Sequence, residues 1–411
     1  MPRRHQPPLK PGRDPVAFVA QRLEAHRPPG PFQEGAFTSR LHDEGIAARL
    51  GIALGIAFFT CFATGLVSHF AQNPLDIGFL STPVSPGWLF RLTQGVHVAT
   101  GIAAIPLLLF KLWTVYPLLF AWPPAKNVVH ATERLFVGAL VALAVFQLFS
   151  GLVNTTRWYP WQFNFVVTHF WASWMLIGVL MIHIGAKLRQ TRRALRTPVQ
   201  ATQDGEAAEP AGKLSRRGML GAAAAAVGAV TLTTVGQTFR PLKDLAALAP
   251  RVPDIGPQGI PVNRTAISAG VTETARDDAF RLRVKGDVQN PLELTIADLR
   301  AMPQHEEELA ITCVEGWSAS ARWSGVRVND LLERAGAPLG AEVVVRSLQM
   351  EKSFRTSELN TIFARADDTL LALDINGEPL HIDHGFPCRL IAPNRPGVMQ
   401  TKWVTTLEVR T

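Results

Sequence analysis

Two kinds of side chain in this sequence are suited to metal or redox chemistry, and they lie in different surroundings. His97, His169 and His183 sit inside long apolar runs, whereas Cys313 sits in a mixed stretch, Ile311-Thr312-Cys313-Val314-Glu315-Gly316-Trp317-Ser318. An imidazole placed in hydrocarbon is costly and marks a functional position by default. His169 and His183 are fourteen residues apart, which on a helix means ~21 Å of rise and rings only ~40° apart on one face. That geometry suits two haems stacked across a bilayer, one near each surface, since neutral imidazole is an axial ligand to haem iron. His97 is level with His169 and is the natural second ligand of the outer haem. His183 has two possible partners at the other surface, His42 and His130. One such histidine alone would read as a hydrogen-bonded packing residue; three at matching depths favour at least one haem.

A thiolate is the other soft donor. The chain has only Cys61, Cys313 and Cys388, too few for a disulfide framework and without a Cys-x-x-Cys pair. Cys61 lies in an apolar run and reads as a small buried hydrophobe.

The elements that must carry these residues follow from hydropathy. Charged residues make up 18% of the 411, below the roughly one quarter of soluble domains, and the apolar excess is confined to the first half. Four segments, about 46–70, 88–120, 135–156 and 162–187, are each long enough to cross a ~30 Å hydrocarbon core. The second is expected to bend at Pro106. A fifth run, Gly218 to about Phe239, is opened by Ser215-Arg216-Arg217-Gly218-Met219-Leu220. This resembles a twin-arginine export signal; the alternative is an ordinary helix with cationic flanks.

Lys187, Arg189, Arg192, Arg193 and Arg196 follow the fourth segment, and Lys126 and Arg134 lie between the second and third. The loops 71–87 and 157–161 carry only Asp76 and Arg157. Positive residues favour the cytoplasmic side, so the N-terminus is expected inside and everything after residue 240 outside. The net charge of +8 belongs to these flanks, not to a nucleic-acid surface. The expected organisation is a tail over 1–41, a four-helix membrane domain over 42–188, a cytoplasmic linker over 189–214, a fifth membrane helix over 215–240 and an extracytoplasmic domain over 241–411. Within the tail, Phe18 to His26 suggests a short amphipathic helix. The last domain mixes strand-like runs (280–284, 343–347, 403–409) with short helices (295–301, 328–335), an α+β pattern.

The four helices resemble the cytochrome b subunits of formate dehydrogenases and hydrogenases. That resemblance implies His97 with His169 on the outer haem and His42 with His183 on the inner one, with His130 as the alternative to His42. In the second half, an ordered series follows Cys313. It comprises Trp323-Ser324-Gly325-Val326, Asp330-Leu331-Leu332, Asn376-Gly377-Glu378-Pro379-Leu380, His384-Gly385-Phe386-Pro387-Cys388-Arg389-Leu390, Pro393 with Gly397, and Lys402-Trp403. It strongly resembles the molybdopterin domain of the sulfite oxidase family, on the side of the periplasmic methionine sulfoxide reductase catalytic subunits. The resemblance implies Cys313 as the protein ligand to molybdenum. It implies His384, Arg389, Gln400, Thr401 and Lys402 as pterin contacts, with Asn263 a substitute for the family's upstream asparagine. Cys388 falls where the family has an apolar residue and is expected in the core; a Cys313–Cys388 disulfide is the lesser alternative.

Together these readings lead us to expect a multi-pass plasma-membrane oxidoreductase with molybdenum–molybdopterin and one or two b-type haems. It would exchange electrons with membrane quinone and reduce a sulfoxide-like small molecule or protein. The alternatives are a sulfite-type dehydrogenase feeding the quinone pool, and a membrane electron carrier with a degenerate pterin domain.

Overall fold

The computed structural model describes residues 14–39, 41–74, 83–196, 214–350 and 355–411. Most of the expected linker, the first thirteen tail residues and Asp76 lie outside them. Asp14 caps the first helix, α1 (Pro15–Glu24), by accepting the amides of Val16 and Ala17 at 3.0 Å, as N-caps do.

Five helices follow that are long and apolar enough to span a membrane: α2 (Glu44–Gln72), α3 (Leu89–Val115, continued by a 3-10 turn to Phe120), α4 (Val128–Thr156), α5 (Phe165–Arg196) and α6 (Arg216–Val235). The chain is a multi-pass membrane protein. α3 keeps its helix through Pro106. α4 starts seven residues before the expected 135 and so takes in His130 and Glu133. α5 continues to Arg196, beyond residue 188; Arg193 and Arg196 in its last turn complement the negative end of the helix dipole.

Packing divides the described chain into two compact units, and their boundary does not follow the helices. The first comprises 1–62, 100–154 and 158–231; the second comprises 63–99, 155–157 and 232–411. In the first unit, Leu54, Ala57, Phe58, Ala104, Leu108, Ala144, Leu176 and Leu180 form the bundle core. The alanines at Ala57, Ala104 and Ala144 allow close helix approach, which membrane bundles need because lipid gives no hydrophobic drive. Met219 and Ala223 of α6 pack on Ile46 and Leu50 of α2. Arg216 pairs with Asp43 at 3.4 Å, so one arginine of the twin pair has a structural role. Leu109, Trp171 and Met175 are each more than 60% exposed, as lipid-facing residues are.

The second unit carries two five-stranded sheets. The first runs β2 (Leu292–Leu294), β1 (Leu282–Gly286), β10 (Val404–Arg410), β5 (Glu342–Ser347) and β6 (Thr356–Leu359), all neighbours antiparallel except β1 with β10. The second joins β3 (His305–Thr312), β4 (Ser318–Arg327), β7 (Leu370–Ile375) and β8 (Glu378–Pro379), with β9 (Arg389–Ile391) also on β7. Short helices cover them, α7 (Ile296–Ala301) and α8 (Val328–Arg334) among these. The expected α+β class holds, and the strands at 280–284, 343–347 and 403–409 are found within two residues of their expected bounds. The β3–β4 hairpin, whose turn carries Cys313, was not anticipated as strands.

Candidate active site

Cys313 is the first residue of a tight turn between β3 and β4. Its amide donates to the Trp317 carbonyl at 2.9 Å, and the Gly316 amide donates back to the Cys313 carbonyl at 3.0 Å. Gly316 has φ +101°, and a Cβ there would meet Val98 and Gln237 at 2.7–3.0 Å, so only glycine fits this turn. Three residues outside the hairpin grip the turn. Gln94 Nε2 donates to the Val314 carbonyl at 2.7 Å, the Ser318 amide donates to the Gln237 carbonyl at 2.9 Å, and the Thr238 hydroxyl donates to the Gly316 carbonyl.

Cys313 is 5% exposed. Asn263 reaches it with Nδ2 at 3.3 Å and shares that group with Glu315 Oε2 at 2.9 Å. Trp317 Nε1 also donates to Glu315 Oε2 at 3.2 Å, and Arg157 Nε lies 3.3 Å from Oε1. Burial, with the Glu315 carboxylate adding to it, pushes the Cys313 thiol up to about 12. Burial likewise raises Glu315, and Arg157 opposes it. Such a sulfur is a thiol on its own and becomes a thiolate when a high-valent metal takes the proton's place.

A second cluster lies around the 384–402 segment. Arg389 is 2% exposed; its two terminal nitrogens donate to the His384 carbonyl at 3.0 Å and the Gln400 carbonyl at 3.1 Å. Lys402 Nζ donates to the carbonyls of Arg264 at 2.9 Å and Asp383 at 2.6 Å. His384 Nε2 lies 2.6 Å from the Pro257 carbonyl, which sets the proton on that nitrogen. Gly385, at φ +112°, lets this loop close, since a Cβ would sit 2.9 Å from Arg389 Cβ and 3.1 Å from Lys402 Cβ. Burial drives all three downward: His384 to about 4, Arg389 to about 9 and Lys402 to about 7. Arg395, which sequence reading missed, is also buried and lowered to about 10.

The structure therefore joins Asn263 with Cys313, and His384, Arg389 and Lys402 with each other; the Arg264 carbonyl, one residue from Asn263, links the two groups. Gln400 and Thr401 turn elsewhere. Gln400 Nε2 donates to the Ala392 and Arg395 carbonyls, and Thr401 Oγ1 bonds Ser357 Oγ at 2.6 Å. Cys388 is a free thiol in the sheet core, and Cys313, also free, belongs to a different apolar cluster, so the disulfide alternative is discarded.

These residues fit an anionic pterin. Among the described residues, the buried Arg389 and Arg395 and the half-buried Lys402 form no ion pair, and the Nε of Arg389 and the Nε of Arg395 have no hydrogen-bond partner. Unpaired buried cations are expensive; a phosphate with several acceptor oxygens supplies what they lack.

The histidines occupy matched settings. In the second unit, His97 Nδ1 lies 3.2 Å from Thr64 Oγ1, and a Cβ on Gly65 would meet the His97 ring at 3.2 Å. In the first unit, His169 Nδ1 lies 2.9 Å from Ser150 Oγ, and a Cβ on Gly151 would meet that ring at 3.3 Å. Each ring thus meets a hydroxyl–glycine pair on a neighbouring helix: the hydroxyl engages Nδ1, while the glycine makes room. Such outer partners orient metal-binding histidines. The dipeptides Thr64-Gly65 and Ser150-Gly151 were a readable signal that sequence reasoning passed over. His42 Nδ1 lies 3.2 Å from the Thr114 carbonyl, and its ring packs against Phe37, Trp113 and Tyr116. His130 Nδ1 accepts the Lys126 amide at 3.1 Å. His183 lies on α5, and no contact distinguishes its two possible partners.

Two families match the chain in tandem. Residues 52–198 match the prokaryotic cytochrome b561 family and residues 269–411 the oxidoreductase molybdopterin-binding domain. The chain is a b-type cytochrome domain followed by a molybdopterin-binding oxidoreductase domain, so both haem b and a molybdenum–pterin are implied. It is similar to the uncharacterized oxidoreductase YuiH of Bacillus subtilis, 36% identical over 31% of this chain and 64% of that protein. A putative protein-methionine-sulfoxide reductase subunit of Azospira oryzae is 34% identical over 32% of this chain and 49% of its own length. Rat mitochondrial sulfite oxidase is 31% identical over 32% of this chain and 29% of its own. The chain thus spans less than two thirds of each relative.

Proposed function

We propose that this protein is a quinone-linked membrane oxidoreductase whose C-terminal domain faces the outside of the membrane and reduces a sulfoxide-like substrate. The observation that carries the reading is the presence of a buried cysteine on a clamped turn together with two buried arginines and a half-buried lysine that form no ion pair. When bound, the molybdenum–pterin group supplies two-electron oxygen-atom transfer, and haem supplies one-electron exchange with quinone. Cys313 would hold the metal, with Asn263 on its sulfur. Arg389, Arg395 and Lys402 would hold the pterin's anionic end, and neutral His384 would orient it. His97 with His169, and His183 with His42 or His130, would hold haem iron.

The reductive direction rests on the Azospira relative's name. The sulfite oxidase relatives support the opposite direction, oxidation of sulfite with electrons passed to quinone, and this remains the second reading. Metal and haem analysis of the purified protein tests the proposal. One molybdenum per chain with b-type haem supports it, and haem without molybdenum would leave only an electron carrier. A substrate screen with reduced and oxidised quinone analogues then decides direction. A reporter active only outside the membrane, fused after Thr411, should be active, and fused near residue 205 silent; the reverse pattern would overturn the orientation.

A further inference from the structure

Arg157 is the single basic residue of the 157–161 loop, on the side of the bilayer where cations are otherwise avoided. Its backbone is left-handed, φ +56°, a conformation that a residue with a Cβ keeps only when its surroundings hold it there. The side chain shows what does so. Nε lies 3.3 Å from Glu315 Oε1, and a terminal nitrogen donates to the Asn263 carbonyl at 2.5 Å. Glu315 is 7% exposed, and among the described residues Arg157 is the one cation within ion-pair distance of it. Asn263 is fixed at both ends. Its carbonyl accepts from Arg157, its side-chain oxygen lies 3.4 Å from Arg251 Nε, and its Nδ2 divides between Glu315 and the Cys313 sulfur.

We propose that Arg157 is a positioning residue of the Cys313 site: it anchors Glu315 and the Asn263 backbone so that the Asn263 amide donates to the sulfur. The inference rests on reading Cys313 as the molybdenum ligand. Hydrogen bonds to a ligating sulfur withdraw electron density and tune the metal. Removing one partner of a buried ion pair strands the other charge, so without Arg157 the Glu315 carboxylate must leave or neutralise, and Asn263 loses its support. A loop between two membrane helices would then set the electronic character of the molybdenum–sulfur bond.

The test uses the purified full-length protein carrying its cofactors. Arg157→Gln should shift the thiolate-to-molybdenum charge-transfer absorption and the Mo(V) paramagnetic resonance g values, with the haem spectrum unchanged. Arg157→Lys should shift them less. Asn263→Ala should reproduce the Arg157→Gln spectra, and the double variant should add nothing further, because the arginine acts through the asparagine. Spectra of Arg157→Gln that superimpose on wild type, or effects of the two substitutions that simply add, would overturn the inference. Should Arg157→Gln not accumulate, Arg157→Lys and Asn263→Ala test the same relation, and an unchanged Asn263→Ala spectrum overturns it. If the wild-type protein holds no molybdenum, it is the functional reading that has failed, and site-resolved alkylation of Cys313 takes over. There Arg157→Gln should label about tenfold faster, because the stranded carboxylate opens the turn locally, and an equal rate overturns the inference.

Discussion

The histidine settings and the cysteine setting solve one problem, holding still a side chain proposed to bind metal, by opposite means. His97 and His169 are steered by a neighbouring hydroxyl and given room by the adjacent glycine. Both hydroxyls are uncharged, which suits a setting in hydrocarbon, where charge is costly. Cys313 is steered by a relay of charged and amide groups, Arg157, Glu315 and Asn263, which a water-facing domain can afford. In the first setting the ring is fixed by shape and by a neutral hydroxyl. In the second it is fixed by an electrostatic network whose members depend on one another. Removing a support should therefore act locally at the histidines and spread at the cysteine.

The largest expected effects separate the two regions. Cys313→Ser replaces a soft thiolate with a hard, poorly ionised hydroxyl and should abolish turnover with any artificial electron donor while haem content stays normal. His169→Ala should do the reverse, removing most of the b-type absorption while leaving molybdenum content unchanged. Cys388→Ser, a change within the core far from any metal role, should keep both cofactors. A Cys313→Ser protein with normal turnover, or a His169→Ala protein with a normal haem spectrum, would remove one side of the comparison.

Smaller effects should come from the supports. A Cβ on Gly151 would already sit 3.3 Å from the His169 ring, so Gly151→Val, with two further methyl groups, should displace the ring and cost most of the haem. Ser150→Ala removes only the Nδ1 partner and should keep haem but weaken its binding, in the range of 10–100-fold seen for outer-shell changes. Titration of haem into the two variants ranks them. If Ser150→Ala lost as much as Gly151→Val, shape would not be the main device.

How much of this was legible beforehand differs between the two regions for a physical reason. A membrane helix is a local object, because apolar length and histidine spacing are read along one segment. The five spans and His97, His169 and His183 were therefore visible in the sequence. The Thr64-Gly65 and Ser150-Gly151 dipeptides were visible too, but not that they face a histidine, because that depends on how helices rotate against each other. The second region is built from long-range pairings: β1 lies beside β10 and Asn263 reaches Cys313 across fifty residues. There the individual motifs could be recognised by resemblance, but not the network among them. Arg157 was noted only as an exception in a loop. Gln400 and Thr401 were placed at the pterin by resemblance alone; that their side chains also bond Ala392, Arg395 and Ser357 could not be read.

The smallest expected effect concerns the buried cations. Burial, reinforced by Arg389, lowers Lys402 from 10.5 to about 7. In protein lacking the pterin, Lys402 should then be half neutral at pH 7 in the folded state and charged in the unfolded one. Between about pH 7 and pH 10.5 the unfolded chain binds the extra proton, so folding stability rises with pH across this window and is flat below it. Cys388 is fully buried in the C-terminal core, so its labelling rate during heating reports unfolding of that domain alone. Protein made without molybdopterin should show a melting midpoint that climbs from pH 7 to pH 9.5, roughly 2–4 °C for each kcal/mol regained. In Lys402→Met the climb should be shallower. In loaded protein, where the pterin phosphate would keep Lys402 charged, it should disappear. A midpoint that falls with pH in the pterin-free protein would mean that Lys402 already has an anionic partner, and the case for these cations as the pterin's holders would fail with it.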